Sequence, residues 1–106
     1  MARTLIQAPP RARRGEVIEL RATIAHPMET GLRVDGQGRP VRRDILTRFT
    51  CRYNAEVVFA AEWHPAIAAN PQVRFFTVAT TSGRLEFSWE GDHGFAQTES
   101  VALEVT

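Results

Sequence analysis

The chain has 106 residues, 43% of them hydrophobic and 24% charged, with a formal net charge of +1. That length fits a single domain, residues 1–106, with one hydrophobic core, and the composition is globular, which excludes a disordered chain. So small a net charge gives no reason to expect nucleic acid or a membrane surface as a partner. All thirteen basic residues are Arg. Guanidinium groups pair bidentately with carboxylates and stack on rings, so they are frequent at interfaces; a GC-rich genome produces the same bias. The single cysteine, Cys51, excludes an intrachain disulfide. No apolar run approaches the roughly 20 residues of a membrane-spanning helix. Residues 1–10 lack the charged-then-apolar pattern of a signal peptide, so composition alone reads as cytoplasmic.

Thr4 to Gln7 suits a short edge strand before Pro9 and Pro10. From Glu16 to Ile24 the residues alternate with period two, which marks a strand with one buried face: Ile18, Leu20, Ala22 and Ile24 point one way. The stretch His26 to Asp44 breaks this pattern with Pro27, Gly31, Gly36, Gly38 and Pro40. A loop of that length inside a compact domain is uncommon and is often functional. Alternation resumes from Ile45 to Tyr53, with Thr47, Phe49 and Cys51 on the core face and Leu46, Arg48, Thr50 and Arg52 opposite. Tyr53-Asn54-Ala55-Glu56 reads as a two-residue hairpin turn, in which Ala55 tolerates positive φ poorly, so the turn is strained or longer. Val57, Phe59, Ala61 and Trp63 form the next inward set.

His64 to Pro71 is irregular, with room for one helical turn around Ala66 to Ala69. Val73 to Val78 sends Phe75 and Phe76 to opposite faces, so one of them lies outside the core. After a turn at Thr81 to Gly83, Leu85, Phe87 and Trp89 share a face. A second turn at Gly91 to Gly94 precedes Val101, Leu103 and Val105. About seven short strands in about 100 residues define an all-β chain, an immunoglobulin-like antiparallel β-sandwich.

Candidate chemistry is sparse. Cys51 shares its face with Phe49 and Tyr53, and a thiol in apolar surroundings keeps its proton and reacts slowly. His26, His64 and His93 all fall in predicted loops, where histidines are usually surface residues, and none has the short ligand spacing of a metal site. Glu29, Asp35 and Asp44 stand among Arg33, Arg39, Arg42 and Arg43 and suit local ion pairs. Trp63 and Trp89 are expected in the core. No nucleophile triad, phosphate-binding glycine loop or carboxylate pair is present. The residues by themselves describe a β-sandwich binding module with no catalytic residue and no cofactor.

The run His26-Pro27-Met28-Glu29-Thr30-Gly31 resembles the signature of the SoxZ family. The likeness continues through Phe49-Thr50-Cys51-Arg52-Tyr53-Asn54, Trp63, Ala69-Asn70-Pro71 and Leu85-Glu86-Phe87-Ser88-Trp89 to Thr98-Glu99-Ser100. Ala55 stands where that family is expected to have glycine, and His64 where glycine is common. The resemblance implies a non-catalytic subunit that forms a heterodimer with SoxY. The SoxY partner carries sulfur intermediates covalently on a tail cysteine during thiosulfate oxidation and visits several Sox enzymes in turn. It also implies a periplasmic location, reached by export together with the partner. Related carriers occur beside quinoprotein dehydrogenases, so the sulfur compound is left open.

His-Pro-Met-Glu also occurs in superoxide reductases, mononuclear iron enzymes of similar sandwich fold that hold their metal with four histidines and one cysteine. This chain has three histidines, so that alternative lacks ligands. A generic β-sandwich protein-binding module is the remaining alternative. The partner interface is expected to use the loop residues His26, Pro27, Met28, Glu29, Arg33, Arg39, Arg42 and Arg43. Phe76 (or Phe75), Val58 and Leu46 are its candidate apolar anchors.

Overall fold

Alternation along the chain builds two facing sheets. A computed structural model describes residues 1–106 and contains eight strands. They are β1 (Thr4–Gln7), β2 (Arg11–Ala12), β3 (Val17–Ile24), β4 (Leu46–Tyr53), β5 (Glu56–Glu62), β6 (Gln72–Val78), β7 (Gly83–Gly91) and β8 (Ala96–Val105). One sheet runs in the order β1-β3-β6 and the other in the order β2-β8-β7-β4-β5. All pairings are antiparallel except that of β2 with β8, which is parallel, so the sandwich is mixed.

The inner faces meet in one apolar core. Ile18, Leu20, Ala22 and Ile24 from β3 face Phe49, Cys51, Leu85, Phe87 and Trp89 from the other sheet, all buried. Phe49 is its centre: its ring lies 5.9 Å from Trp63 in a stacked arrangement and 5.5 Å from Trp89. Phe75 packs against Phe59 at 4.6 Å and so joins the sheets at the β5/β6 side. These separations lie in the range of attractive aromatic pairs. As expected, one of the two neighbouring phenylalanines lies outside the core: Phe75 is buried and Phe76 is half-exposed.

Two local irregularities reverse sequence expectations. The register of β4 against β7 shifts between Leu46 and Arg48, leaving Thr47 as an extra residue. One inserted residue flips everything on its far side, so Leu46 is fully buried rather than an outward anchor. A second shift between Cys51 and Arg52 leaves Val58 unpaired in β5 and turns Val57 outward, against the expected inward set. The segment after Trp63 contains no helical turn; a turn from His64 to Ile67, closed by a 3.0 Å backbone bond, takes its place.

The Tyr53–Glu56 connection is a two-residue turn that carries strain, with φ of 48° at Asn54 and 70° at Ala55. Asn54 offsets it by locking the neighbouring turn. Its Oδ1 accepts from the Arg84 N–H at 3.0 Å, and its Nδ2 donates to Thr81 Oγ1 at 3.1 Å. A Cβ on Gly83 would fall 1.7 Å from that Oδ1, so a larger residue there displaces the Asn54 carboxamide and breaks these bonds. The Tyr53 hydroxyl accepts from the Thr80 and Thr81 N–H groups and donates to the Thr81 carbonyl, tying the end of β4 to the chain between β6 and β7.

Candidate partner interface

The long loop leaves β3 at His26 and rejoins β4 at Asp44. It is a narrow, two-armed excursion rather than a coil. Glu29 and Asp44 exchange two backbone bonds of 2.8 Å, and Val34 bridges Pro40. At the tip, the Asp35 carboxylate accepts from the N–H groups of Gln37 and Arg39, which holds its carboxyl below the usual range, the Arg39 bond contributing most. The molecule extends 58 Å along its long axis, well beyond the about 33 Å of a ten-residue strand.

The base of the loop is built by the residues of the predicted interface motif. His26 is buried, contrary to the surface position expected of a loop histidine. Its Nδ1 accepts from the Met28 N–H at 3.0 Å, its Nε2 lies 3.6 Å from Asp44 Oδ1, and its ring meets Phe95 edge-on. Its backbone exchanges bonds with Asn70, whose Oδ1 accepts from the His26 N–H. Met28 is buried as well, in a left-handed conformation, with its sulfur accepting from the Leu46 N–H. The side chains of His26 and Met28 therefore shape the loop from inside. Pro27 is exposed and Glu29 half-buried. Gly31, at φ +87°, sits where a Cβ would press within 3.1 Å of the Arg43 Cβ. Much of the motif thus has a conformational reason.

The arginines divide into two kinds. Arg33 pairs with Glu29 at 2.6 Å, which lowers the Glu29 carboxyl and raises the guanidinium. Arg43 grips Asp92 through two bonds of 2.9 and 2.8 Å, and the same carboxylate accepts from the Ile45 N–H. Those contacts hold the Asp92 carboxyl well down, the Arg43 bonds first. His93 adds a 2.8 Å contact from Nε2 to the Arg43 carbonyl. Asp92 and His93 were not among the expected site residues, since their partners lie nearly fifty residues away in sequence. Arg39 and Arg42 are exposed and enter no ion pair.

Phe76 lies on the outer face of the three-stranded sheet, half-exposed, with the Arg74 guanidinium 5.6 Å from its ring centre. Exposed Val78 and Val17 pair beside it in register. Val58 and Val78 line a groove of about 430 Å³ that also takes in Tyr53, Glu56 and Thr77, where the sheets part between β5 and β6.

Cys51 is fully buried, and burial pushes its thiol up to about 12. No three His, Cys, Asp or Glu side chains gather at metal-binding spacing. His64 and His93 lie exposed on separate loops, so these residues do not fit an iron site. No helix is long and apolar enough to cross a membrane.

The architecture defines a two-sheet β-sandwich with a long arginine-bearing loop between β3 and β4 and a groove between β5 and β6. Within that class the particular family follows from the sequence: the family model for sulphur oxidation protein SoxZ matches residues 6–102, and the chain belongs to the SoxZ family. No curated relative matches the sequence. Solved structures share the fold at low identity. The superoxide reductase (neelaredoxin) from Ignicoccus hospitalis is similar with a TM-score of 0.77 and 15% identity, over 99% of this chain and 82% of that one. The sulfur carrier protein SoxY from Chlorobium limicola f thiosulfatophilum is similar with a TM-score of 0.67 and 15% identity, over 97% of this chain and 78% of that one.

Proposed function

We propose that this chain is the non-catalytic subunit of a SoxYZ-type sulfur carrier complex. It binds a SoxY-type protein whose tail cysteine holds sulfur intermediates covalently, and it helps present that tail to the Sox enzymes. Family membership across residues 6–102 carries the reading. Cys51, the one thiol of the chain, is sealed in the core, away from any sulfur held on the partner. Periplasmic location, reached by co-export with the partner, belongs to the same proposal. Arg39 and Arg42, exposed and in no ion pair, supply positive charge on the long loop. They steer an acidic surface or the anionic group on the carrier tail, through a force that salt screens.

The test is size exclusion with light scattering on this chain mixed with the SoxY-type protein of the same genome, with iron measured on the same sample. A one-to-one complex without stoichiometric iron is expected. A chain that binds iron and leaves the partner free would overturn the proposal in favour of a redox enzyme.

A further inference from the structure

Each sheet of the sandwich has two edges, and three of the four are protected. β2 is only two residues long. β1 has four, and the chain just before it is tied across to β8, where Gln97 Oε1 accepts from the Ala2 N–H at 3.0 Å and Gln97 Nε2 donates to the Ala2 carbonyl at 2.8 Å. β5 is interrupted by the extra residue Val58. Short length, cover and bulges are the means by which proteins blunt sheet edges.

β6 has none of these. It runs seven residues in unbroken register against β3, with no proline and no acidic residue. The bonds that flank the ladder fix which groups point outward. Ile24 N–H donates to Pro71, and Ala79 N–H to Glu16. In an antiparallel pair, bonded and non-bonded positions alternate, so Val73, Phe75 and Thr77 face β3. The N–H and C=O groups of Arg74, Phe76 and Val78 point away from it, along the open side. Apolar side chains stand on each flank: Val58 and Val78 line the groove between the sheets among Asn54, Glu56, Thr77, Thr80 and Thr81, and Phe76, Val78 and Val17 form a patch on the outer face beside the Glu19–Arg21 and Glu19–Arg74 ion pairs.

We infer that the β6 edge is the docking site for an extended strand of the SoxY-type partner, which continues the three-stranded sheet. The spacing of the free groups, about 6.8 Å between alternate residues, is matched by another strand's backbone. The inward side chains of that strand enter the groove at Val58 and Thr77, and its outward ones meet Phe76 and Val78. The occupant is the carrier partner because the SoxY structure shares this two-sheet fold, and such a fold brings edge strands of its own. A stable interface hides about 800 Å² on each partner, more than one ladder supplies, so the contact spreads onto the outer-face patch of Phe76, Val78 and Val17. This inference rests on the carrier reading and names its surface.

Amide exchange by NMR, on the free chain and on its complex with the SoxY-type protein, tests it. In the free chain, Arg74, Phe76 and Val78 exchange quickly and Val73, Phe75 and Thr77 slowly. In the complex the first three are protected at least about 100-fold. Phe76→Lys and Val78→Pro each weaken the complex by about tenfold or more, whereas Leu5→Lys on β1 does not; circular dichroism melts confirm that all three variants fold. A complex that forms with Arg74, Phe76 and Val78 still exchanging freely, or that tolerates both β6 variants, overturns this inference and leaves the carrier reading standing. Failure to form any complex removes both. Protection that grows with concentration of the free chain alone makes a second copy the occupant and overturns the assignment.

Discussion

At the scale of single residues, positions that look chemical turn out to hold conformation. The His26 Nδ1 that accepts the Met28 N–H must be unprotonated, and the ring fills a buried site beside Phe95. His26→Ala leaves the Met28 N–H without its acceptor and opens a cavity, at a cost of about 2–4 kcal/mol, measured as a lower urea midpoint. Tyr53→Phe strands the Thr80 and Thr81 N–H groups that its hydroxyl accepts and costs about 1–2 kcal/mol. Ala55 works the other way. At φ 70° it holds a conformation that glycine adopts freely, so Ala55→Gly stabilises the fold by up to about 1 kcal/mol, read as a rise in Tm of a few degrees.

At the scale of elements, an ion pair adds to the backbone bonds and buried side chains that hold the loop, and acid removes that part. The Asp92 carboxyl is held down by Arg43 and the Ile45 N–H. A carboxylate whose folded value lies below its unfolded value adds stability that is fully present above the unfolded value, near 3.9, and is lost as pH falls through the folded one. Asp92→Asn therefore lowers the urea midpoint at pH 6, and the gap between variant and parent closes towards pH 2.5. Legibility follows the same lines. β3 and β7 alternate without interruption and were readable except at the ends of β7, where Gly83 and Gly91 look like turn residues but belong to the strand. The bulges at Thr47 and Val58 were not, because an inserted residue leaves the apolar pattern looking continuous while it reverses Leu46 and Val57 in space. The loop's length and irregularity were visible, but its clamps were not. Asn70, Asp92 and Phe95 reach His26 and Arg43 across 44 to 69 residues of sequence, and no local spacing signals such a meeting.

At the scale of the whole molecule, the chain is long and narrow, with a Cα radius of gyration of 16.1 Å against about 13 Å for a compact domain of this size. Within a net charge of +1, Arg39 and Arg42 on the long loop are exposed and enter no ion pair. Replacing both with Gln is expected to slow association with the partner several-fold at 50 mM salt and hardly at all at 1 M, where the screening length falls to about 3 Å; stopped-flow mixing measures this. Equal rates at low salt would remove the steering role.

The burial of Cys51 bears on the proposed complex as a whole. Sulfur bound to one thiol migrates readily to any second thiolate within reach. With its proton held up to about 12, the Cys51 thiol at pH 7 is ionised in only about one molecule in 100,000, and the core shuts the rest away. In the proposed complex this subunit therefore offers the cargo no second thiolate to migrate to.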